Sequence, residues 1–274
     1  MASLQRLYLS FSLLITLFSA SAQINNTIEA KREKYITKEY WHTFGYNSPQ
    51  WQMYLDSALV IEPRNSRLWQ QKSMPNMKNG NYYEGMRFLN KAVEYDTLAW
   101  LGYRGFMKCV FMKDYTNAII DLKSMYHKRP IEQVMDHSYP FWIGISYLKL
   151  NQLEDANRYL SLSVDQGMKN GKEWVHYVDW FYWGIVKYKQ KDYEKALEFL
   201  ENATSRNSHF PDAEFYKAMI LLQKNKKEEA KTLLLQAKAN IATGYRMNED
   251  NEFYVNYPYQ ITVNEIDEYL QKLQ

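Results

Sequence analysis

The sequence predicts an all-α chain built as an array of antiparallel helix pairs, on three observations. First, five segments repeat one spacing: a small residue, a large apolar residue four later, and a small or medium residue three after that. They are Gly85-Leu89-Ala92, Ala118-Leu122-Met125, Ala156-Leu160-Ser163, Ala196-Leu200-Ala203 and Ala230-Leu234-Ala237. Steps of four and three place all three side chains on one helix face, where small residues let a second helix approach closely. Second, three residues ahead of each small residue stands Tyr82, Tyr115, Leu153, Tyr193 or Lys227. These lie in polar turns such as Asn79-Gly80-Asn81-Tyr82 and Lys191-Asp192-Tyr193, which read as helix–turn–helix junctions. Third, an apolar-periodic helix precedes each turn. It carries Gly144, Gly184 or Ala218 twelve residues before the small residue, and Trp69 or Trp180 sixteen before it.

Residues 1–22 read as a signal peptide. Arg6 supplies a short positive region, Leu7 to Phe18 is uncharged and apolar, and Ala20-Ser21-Ala22 has the small residues of a cleavage site before Gln23. The apolar run is too short for a comfortable membrane span, and no later stretch is long and apolar enough for one. No cysteine stands near the cleavage point to carry a lipid. Residues 23–47 form an N-terminal cap, with a helix predicted over Ile28–Phe44 that carries Tyr35, Tyr40, Trp41 and Phe44. The repeats run over 48–241. Five are clear, and Trp51, Leu55 and Ala58 fit a degenerate second helix ahead of them. Residues 242–274 hold a Tyr-rich segment and a capping helix. Pro258 disfavours helix at Tyr257, so Tyr254 to Tyr259 is predicted to be extended. Thr262 and Glu265 have the spacing of a capping box, and Val263, Ile266, Tyr269, Leu270 and Leu273 follow with helical periodicity.

The bulk composition is that of a folded protein, with 46% hydrophobic and 24% charged residues. Its 24 Tyr and 8 Trp exceed the needs of a simple core, so some rings should line a surface. A formal net charge of +3, with basic residues spread among acidic ones, argues against a nucleic-acid partner. The single cysteine, Cys109, rules out an internal disulfide framework and sits in an apolar run as a small buried hydrophobe.

The registered residues, clearest in Trp180, Trp183, Gly184, Tyr193, Ala196, Leu200 and Ala203, resemble the tetratricopeptide repeat (TPR). Pro63 and Pro130 fall where the repeat-ending proline belongs. The resemblance covers about Ser48 to Ile241 and implies a right-handed superhelical array, a TPR-like α-solenoid. Three departures stand out. The repeat around Cys109 lacks the Leu-Gly pair, and extra residues at Ile131–Asp136 and Gly171–His176 break the strict period, implying longer helices or loops. In this family, ligands lie along the concave surface formed by the first helix of each repeat. The resemblance puts Trp100, Tyr103 and Met107 there, then Phe141, Ile145 and Leu148, then Phe181, Ile185 and Tyr188, then Phe215, Met219 and Leu222. The Lys, Arg and Asn of a carboxylate clamp are missing at the matching positions. Three readings of this apolar lining stay open: it receives a partner's aromatic or apolar segment, it is core, or Tyr254–Tyr259 folds back to occupy it.

The search for chemistry is nearly empty. No glycine-rich phosphate loop, Gly-x-Ser-x-Gly turn or His-Glu-x-x-His helix occurs. The histidines at 42, 127, 137, 176 and 209 are scattered, and His176 with Asp179 reads as a solvated pair rather than a metal site, which needs three or four ligands. No catalytic residue, metal or cofactor is predicted, and the chain reads as a non-enzyme. The predicted function is an exported scaffold or adaptor for a protein or peptide partner. The Asn-, Lys- and Tyr-rich composition resembles exported proteins of Bacteroidota-type bacteria, which implies the periplasm or the cell surface. A carbohydrate-binding role is the alternative, since sugars stack on Trp and Tyr; helical-repeat proteins of that kind carry a lipidated cysteine, absent here.

Overall fold

The computed structural model describes residues 23–273, so the signal peptide expected at 1–22 lies outside the described residues. The fold is all-α, with one two-residue hairpin as its only sheet among the described residues. The chain forms two compact units. One runs to Met77 and takes up Tyr83–Thr97; the other comprises Lys78–Tyr82 and everything from Leu98 onward.

In the first unit, the single helix expected over Ile28–Phe44 is broken. Residues 23–32 are helical, a π-turn follows at Glu33–Thr37, and Glu39 sits in the left-handed region (φ 45°) before a 3-10 turn at Tyr40–Thr43. The break lets Trp41, 1% exposed, turn into a cluster with Trp51, Leu55, Ala58, Leu59 and Leu68. Helix α1 (Pro49–Ile61) starts with Pro49 in its first turn, and Ser48 Oγ accepts the Trp51 N–H at 3.2 Å. Helices α2 (Ser66–Lys78) and α3 (Tyr82–Tyr95) follow. A Cβ at Gly85 would lie 2.5 Å from Met77 Sδ, so any larger residue there would require the Met77 side chain to shift.

The second unit stacks helix pairs: α4 (Thr97–Val110) with α5 (Tyr115–Lys128), α6 (Tyr139–Lys149) with α7 (Leu153–Met168), α8 (Tyr177–Lys189) with α9 (Tyr193–Arg206), and α10 (Pro211–Gln223) with α11 (Lys227–Ala242). The small–large–small residues of each second helix are buried, from Ala118 to Ala237. Opposite three of the leucines the first helix presents a glycine gap, and Leu234 packs with Ala218. A Cβ at Gly144 would lie 2.6 Å from Leu160 Cγ, and one at Gly184 3.0 Å from Leu200 Cγ. Around Cys109 the same job falls to Gly105, 2.6 Å from Leu122 Cγ. This glycine stands thirteen residues before Ala118 instead of twelve because the α4–α5 turn is one residue longer than the others. Cys109 itself is a buried free thiol, and burial pushes its pKa up to about 11.

Every turn within these pairs uses one device. Lys113, Asn151, Lys191 and Asn225 are left-handed (φ 57°, 58°, 61° and 59°). The next N–H reaches back into the last turn of the first helix: Asp114 to Lys108, Gln152 to Tyr147, Asp192 to Lys187 and Lys226 to Leu221, all at 2.9–3.0 Å. This Schellman-type closure satisfies the carbonyls at a helix end.

The two interruptions of the period are loops, the second preceded by a helix, α7, that at 16 residues is longer than the 14 of α5 and α9. The first is an antiparallel hairpin, β1 (Gln133–Val134) and β2 (His137–Ser138), joined by Met135 and Asp136 at φ 49° and 60°. The second carries a 3-10 turn at Lys172–Trp174. At the C-terminal end, α12 (Val263–Lys272) begins with both bonds of the Thr262–Glu265 capping box, and Ile266 joins the cluster of Phe215, Ala218, Met219, Ala230, Leu234 and Ala237. No described helix is long and apolar enough to cross a membrane.

Candidate functional site

The chain between α11 and α12 lies against the first helices of the second unit, and its grip is largely on main-chain atoms. Tyr177 Oη donates to the Met247 carbonyl, Tyr182 Oη to the Pro258 carbonyl at 2.6 Å, and Lys113 Nζ to the Asn256 carbonyl at 2.5 Å. In return Tyr259 Oη donates to the Leu148 carbonyl at 3.2 Å, and the Ile261 N–H donates to Asp212 Oδ1 at 2.7 Å. Asp212 is 2% exposed; burial raises its pKa to about 7, partly offset by the Ile261 N–H. Met247, Tyr257, Pro258 and Ile261 are buried, whereas Phe253 is exposed. The Tyr259 ring lies under Lys149 and Lys189 (4.9 and 5.4 Å) and edge-on to Tyr216, and the Tyr257 ring is 6.3 Å from that of Trp142. The Tyr-rich segment thus folds back onto these helices, but not as the extended stretch expected, since Tyr254, Pro258 and Tyr259 lie in turns.

The residues predicted to line a ligand face are mostly inside the packing. Phe141, Ile145, Phe181 and Ile185 are 0% exposed, and Phe215 and Met219 belong to the cluster under α12. Phe141 stacks on His137 and meets Trp142 and Tyr182; Phe181 meets Tyr182, Phe210 and Tyr216. Trp100, Tyr103 and Tyr188 are half-buried. The groups touching the segment include Trp142, Tyr182 and Tyr216, each the next residue after Phe141, Phe181 and Phe215. Consecutive helical residues differ by about 100° in direction, and on helices apolar all round a repeat register does not tell one flank from the other.

Beside the start of the segment lies a polar cleft of about 360 Å³ whose walls include His137, Ser138, Ser163, His176 and Asp179. Asp179 is buried, which corrects the reading of His176 and Asp179 as a solvated pair. It accepts a hydrogen bond from Ser163 Oγ, which lies 2.7 Å from Ser138 Oγ. Its other oxygen faces His137 Nδ1 at 3.5 Å, and His137 Nε2 faces both oxygens of Glu249 at 3.3 Å. Burial pushes the His137 pKa down, but the bonds to Asp179 and Glu249 outweigh it and hold the group up at about 9. His176 is held below its ordinary value by burial and by His137. The serine hydroxyl bonds the aspartate, not the histidine, so this is no nucleophile–base pair.

Sequence reasoning missed His137 and Glu249. A signal was present: both period-breaking insertions lead to a histidine just ahead of a first helix, His137-Ser138 before Tyr139 and His176 before Tyr177. Glu249 comes from the segment, 112 residues from His137, and nothing local marks it.

Residues 187–243 match the model of the tetratricopeptide repeat family. Among solved structures, PilW, a widely conserved type IV pilus biogenesis factor, is 13% identical with a TM-score of 0.59, over 84% of this chain and 96% of that one. The pilF protein of Pseudomonas aeruginosa is 16% identical with a TM-score of 0.59, over 80% and 95%. The Cut9–Hcn1 hetero-tetramer of the APC/C matches at 15% identity and a TM-score of 0.59, over 82% of this chain and 39% of that one. At these identities the likeness is one of fold: a TPR-type solenoid. No curated protein is similar in sequence.

Proposed function

We propose that this TPR-type chain is an exported, non-enzymatic scaffold that binds a polypeptide segment of a partner protein where its own residues 245–261 now lie. The observation that carries the reading is the kind of contact. Three main-chain carbonyls of the segment, those of Met247, Asn256 and Pro258, accept bonds from scaffold side chains, while Tyr257, Tyr259 and Ile261 fill sites between them. Backbone contacts give affinity for any extended chain and side-chain sites give selectivity, the division of labour of peptide recognition. Tyr259 adopts φ 63°, a conformation that costs a non-glycine residue about 1 kcal/mol or more, so the segment is held with some strain and can be exchanged. In this reading Phe141, Ile145, Phe181, Ile185, Phe215 and Met219 form the packed floor. Tyr188, half-buried against Tyr216, supplies a partly open ring beside it. Cut9, of the same fold, is assembled with Hcn1 in its hetero-tetramer.

Export is proposed on the signal pattern of residues 1–22, which favours the periplasm or the cell surface. The binding reading is tested with a labelled peptide of residues 247–261, titrated into the full chain and into a Tyr257→Ala, Tyr259→Ala variant. The variant, its own segment loosened, should bind the peptide at least about tenfold more tightly, because it need not first displace a competitor. A variant whose segment is released yet takes up no peptide contradicts the reading. N-terminal sequencing of envelope-fractionated protein should begin at Gln23, and an uncleaved chain would contradict export.

A further inference from the structure

The geometry around His137 is unusual for an ion pair. Its Nε2 is equidistant from both Glu249 oxygens at 3.3 Å, longer than the roughly 2.7–2.9 Å of a charge-assisted hydrogen bond. Two donors bound to one tetrahedral zinc ion, each at about 2.0–2.1 Å, stand about 3.3–3.4 Å apart. A nitrogen of His176 completes the group: one donor atom from each of His137, His176 and Glu249 lies within 4.8 Å of the other two. We propose that His137, His176 and Glu249 form a zinc site.

The surroundings of the cluster support this assignment. A metal-binding histidine ordinarily gives its second nitrogen to a carboxylate, which fixes the ring and its tautomer. Here His137 Nδ1 faces Asp179, Asp179 is held by Ser163, and the ring is stacked on Phe141 at 3.9 Å and 13°. One ligand is thus clamped, while His176 is solvent-exposed at the entrance to α8, where its Nδ1 accepts the Val178 N–H at 3.4 Å and leaves Nε2 for the ion. The Asp179 and Glu249 carboxylates face His137 in a nearly closed place, with side chains 8% and 9% exposed, where a divalent ion is a fitting counter-charge. Two imidazoles and one carboxylate suit zinc and disfavour the harder magnesium and calcium ions, which take oxygen ligands. A small cavity of about 60 Å³ adjoins the three ligands, with room for a water as the fourth. The ligands come from β2, from the entrance to α8 and from the C-terminal segment, so the ion would staple the start of the segment to the scaffold.

The test is zinc titration of the chelator-stripped full chain by calorimetry, with cobalt(II) as an optical probe. One zinc ion per chain is expected, together with the visible absorption of four- or five-coordinate cobalt and no uptake of magnesium or calcium. His176→Ala and Glu249→Gln should each weaken zinc binding at least about tenfold, and Asp179→Asn by about ten- to a hundredfold. Because His176 is exposed, its variant keeps the fold, which circular dichroism would verify. Absence of stoichiometric zinc uptake, or uptake undiminished in both His176→Ala and Glu249→Gln, would overturn the assignment.

Discussion

The turns inside the helix pairs of the second unit differ in kind from the connections between the pairs. The four turns share one left-handed residue and one backward hydrogen bond, whatever the side chain, with lysine at two and asparagine at two. The connections 129–138, 169–176 and 207–210 share almost no geometry: a hairpin, a 3-10 turn and a four-residue link. Each nonetheless carries a histidine toward the C-terminal segment. His137 faces Glu249, His176 stands beside it, and His209 stacks on Tyr245 at 4.3 Å. Packing dictates the turns, because the contact of leucine with a small residue, glycine in three pairs and Ala218 in the fourth, needs the two helices closed at one spacing. It leaves the connections unspecified, and polar groups collect there.

The sharpest way to break this contrast is to compare one substitution from each side. Leu200→Ala, facing Gly184, should destabilise the chain by about 2–5 kcal/mol in urea unfolding, whereas His176→Ala, which loses only the long cap bond to the Val178 N–H, should cost no more than about 1 kcal/mol in metal-free buffer. Equal losses would mean that the connections also hold the fold together. Next in size is the pH dependence attached to Asp212, the anchor of Ile261. Its folded pKa of about 7 stands above the ordinary carboxyl value of 3.8, so the folded chain holds this proton more tightly. The stabilisation is therefore full below about pH 4 and is lost as pH rises through 7. Asp212→Asn should flatten the stability profile across that window by a few kcal/mol, because each tenfold gain in proton affinity on folding is worth about 1.4 kcal/mol. A profile identical to that of the unaltered chain would show that the carboxyl is not buried as described.

Smaller effects sharpen the comparison. Tyr182→Phe removes the hydroxyl on the Pro258 carbonyl and should cost about 0.5–1.5 kcal/mol, with faster amide exchange confined to the segment. Lys191→Gly relieves a left-handed lysine in a solvent-facing turn and should raise stability by up to about 1 kcal/mol with no effect on peptide or zinc binding.

What was legible in the sequence follows the same divide. The helix pairs, the small–large contacts and the capping box of Thr262 and Glu265 could be read because packing leaves a periodic trace. Even Gly105 was visible once a one-residue shift is allowed. The break at Glu39 was not, because it serves the burial of Trp41, a tertiary demand with no local marker. The segment-facing flank of the first helices was missed by one residue, Phe181 for Tyr182, because both flanks of those helices are apolar. The cluster of His137, His176, Asp179 and Glu249 joins three places in the chain, and only the two period-breaking insertions hinted at it.

The central claim is that the first helices hold a stretch of the chain's own backbone, and amide hydrogen exchange tests it most directly. The Ile261 amide, bonded to Asp212, and the Tyr257 amide, bonded to Gln260 Oε1 at 2.9 Å, should exchange far more slowly than exposed Phe253. Their protection should fall when the peptide of residues 247–261 is added in excess. Exchange of 255–261 at the rate of an unstructured chain, with the helices still protected, would contradict the account.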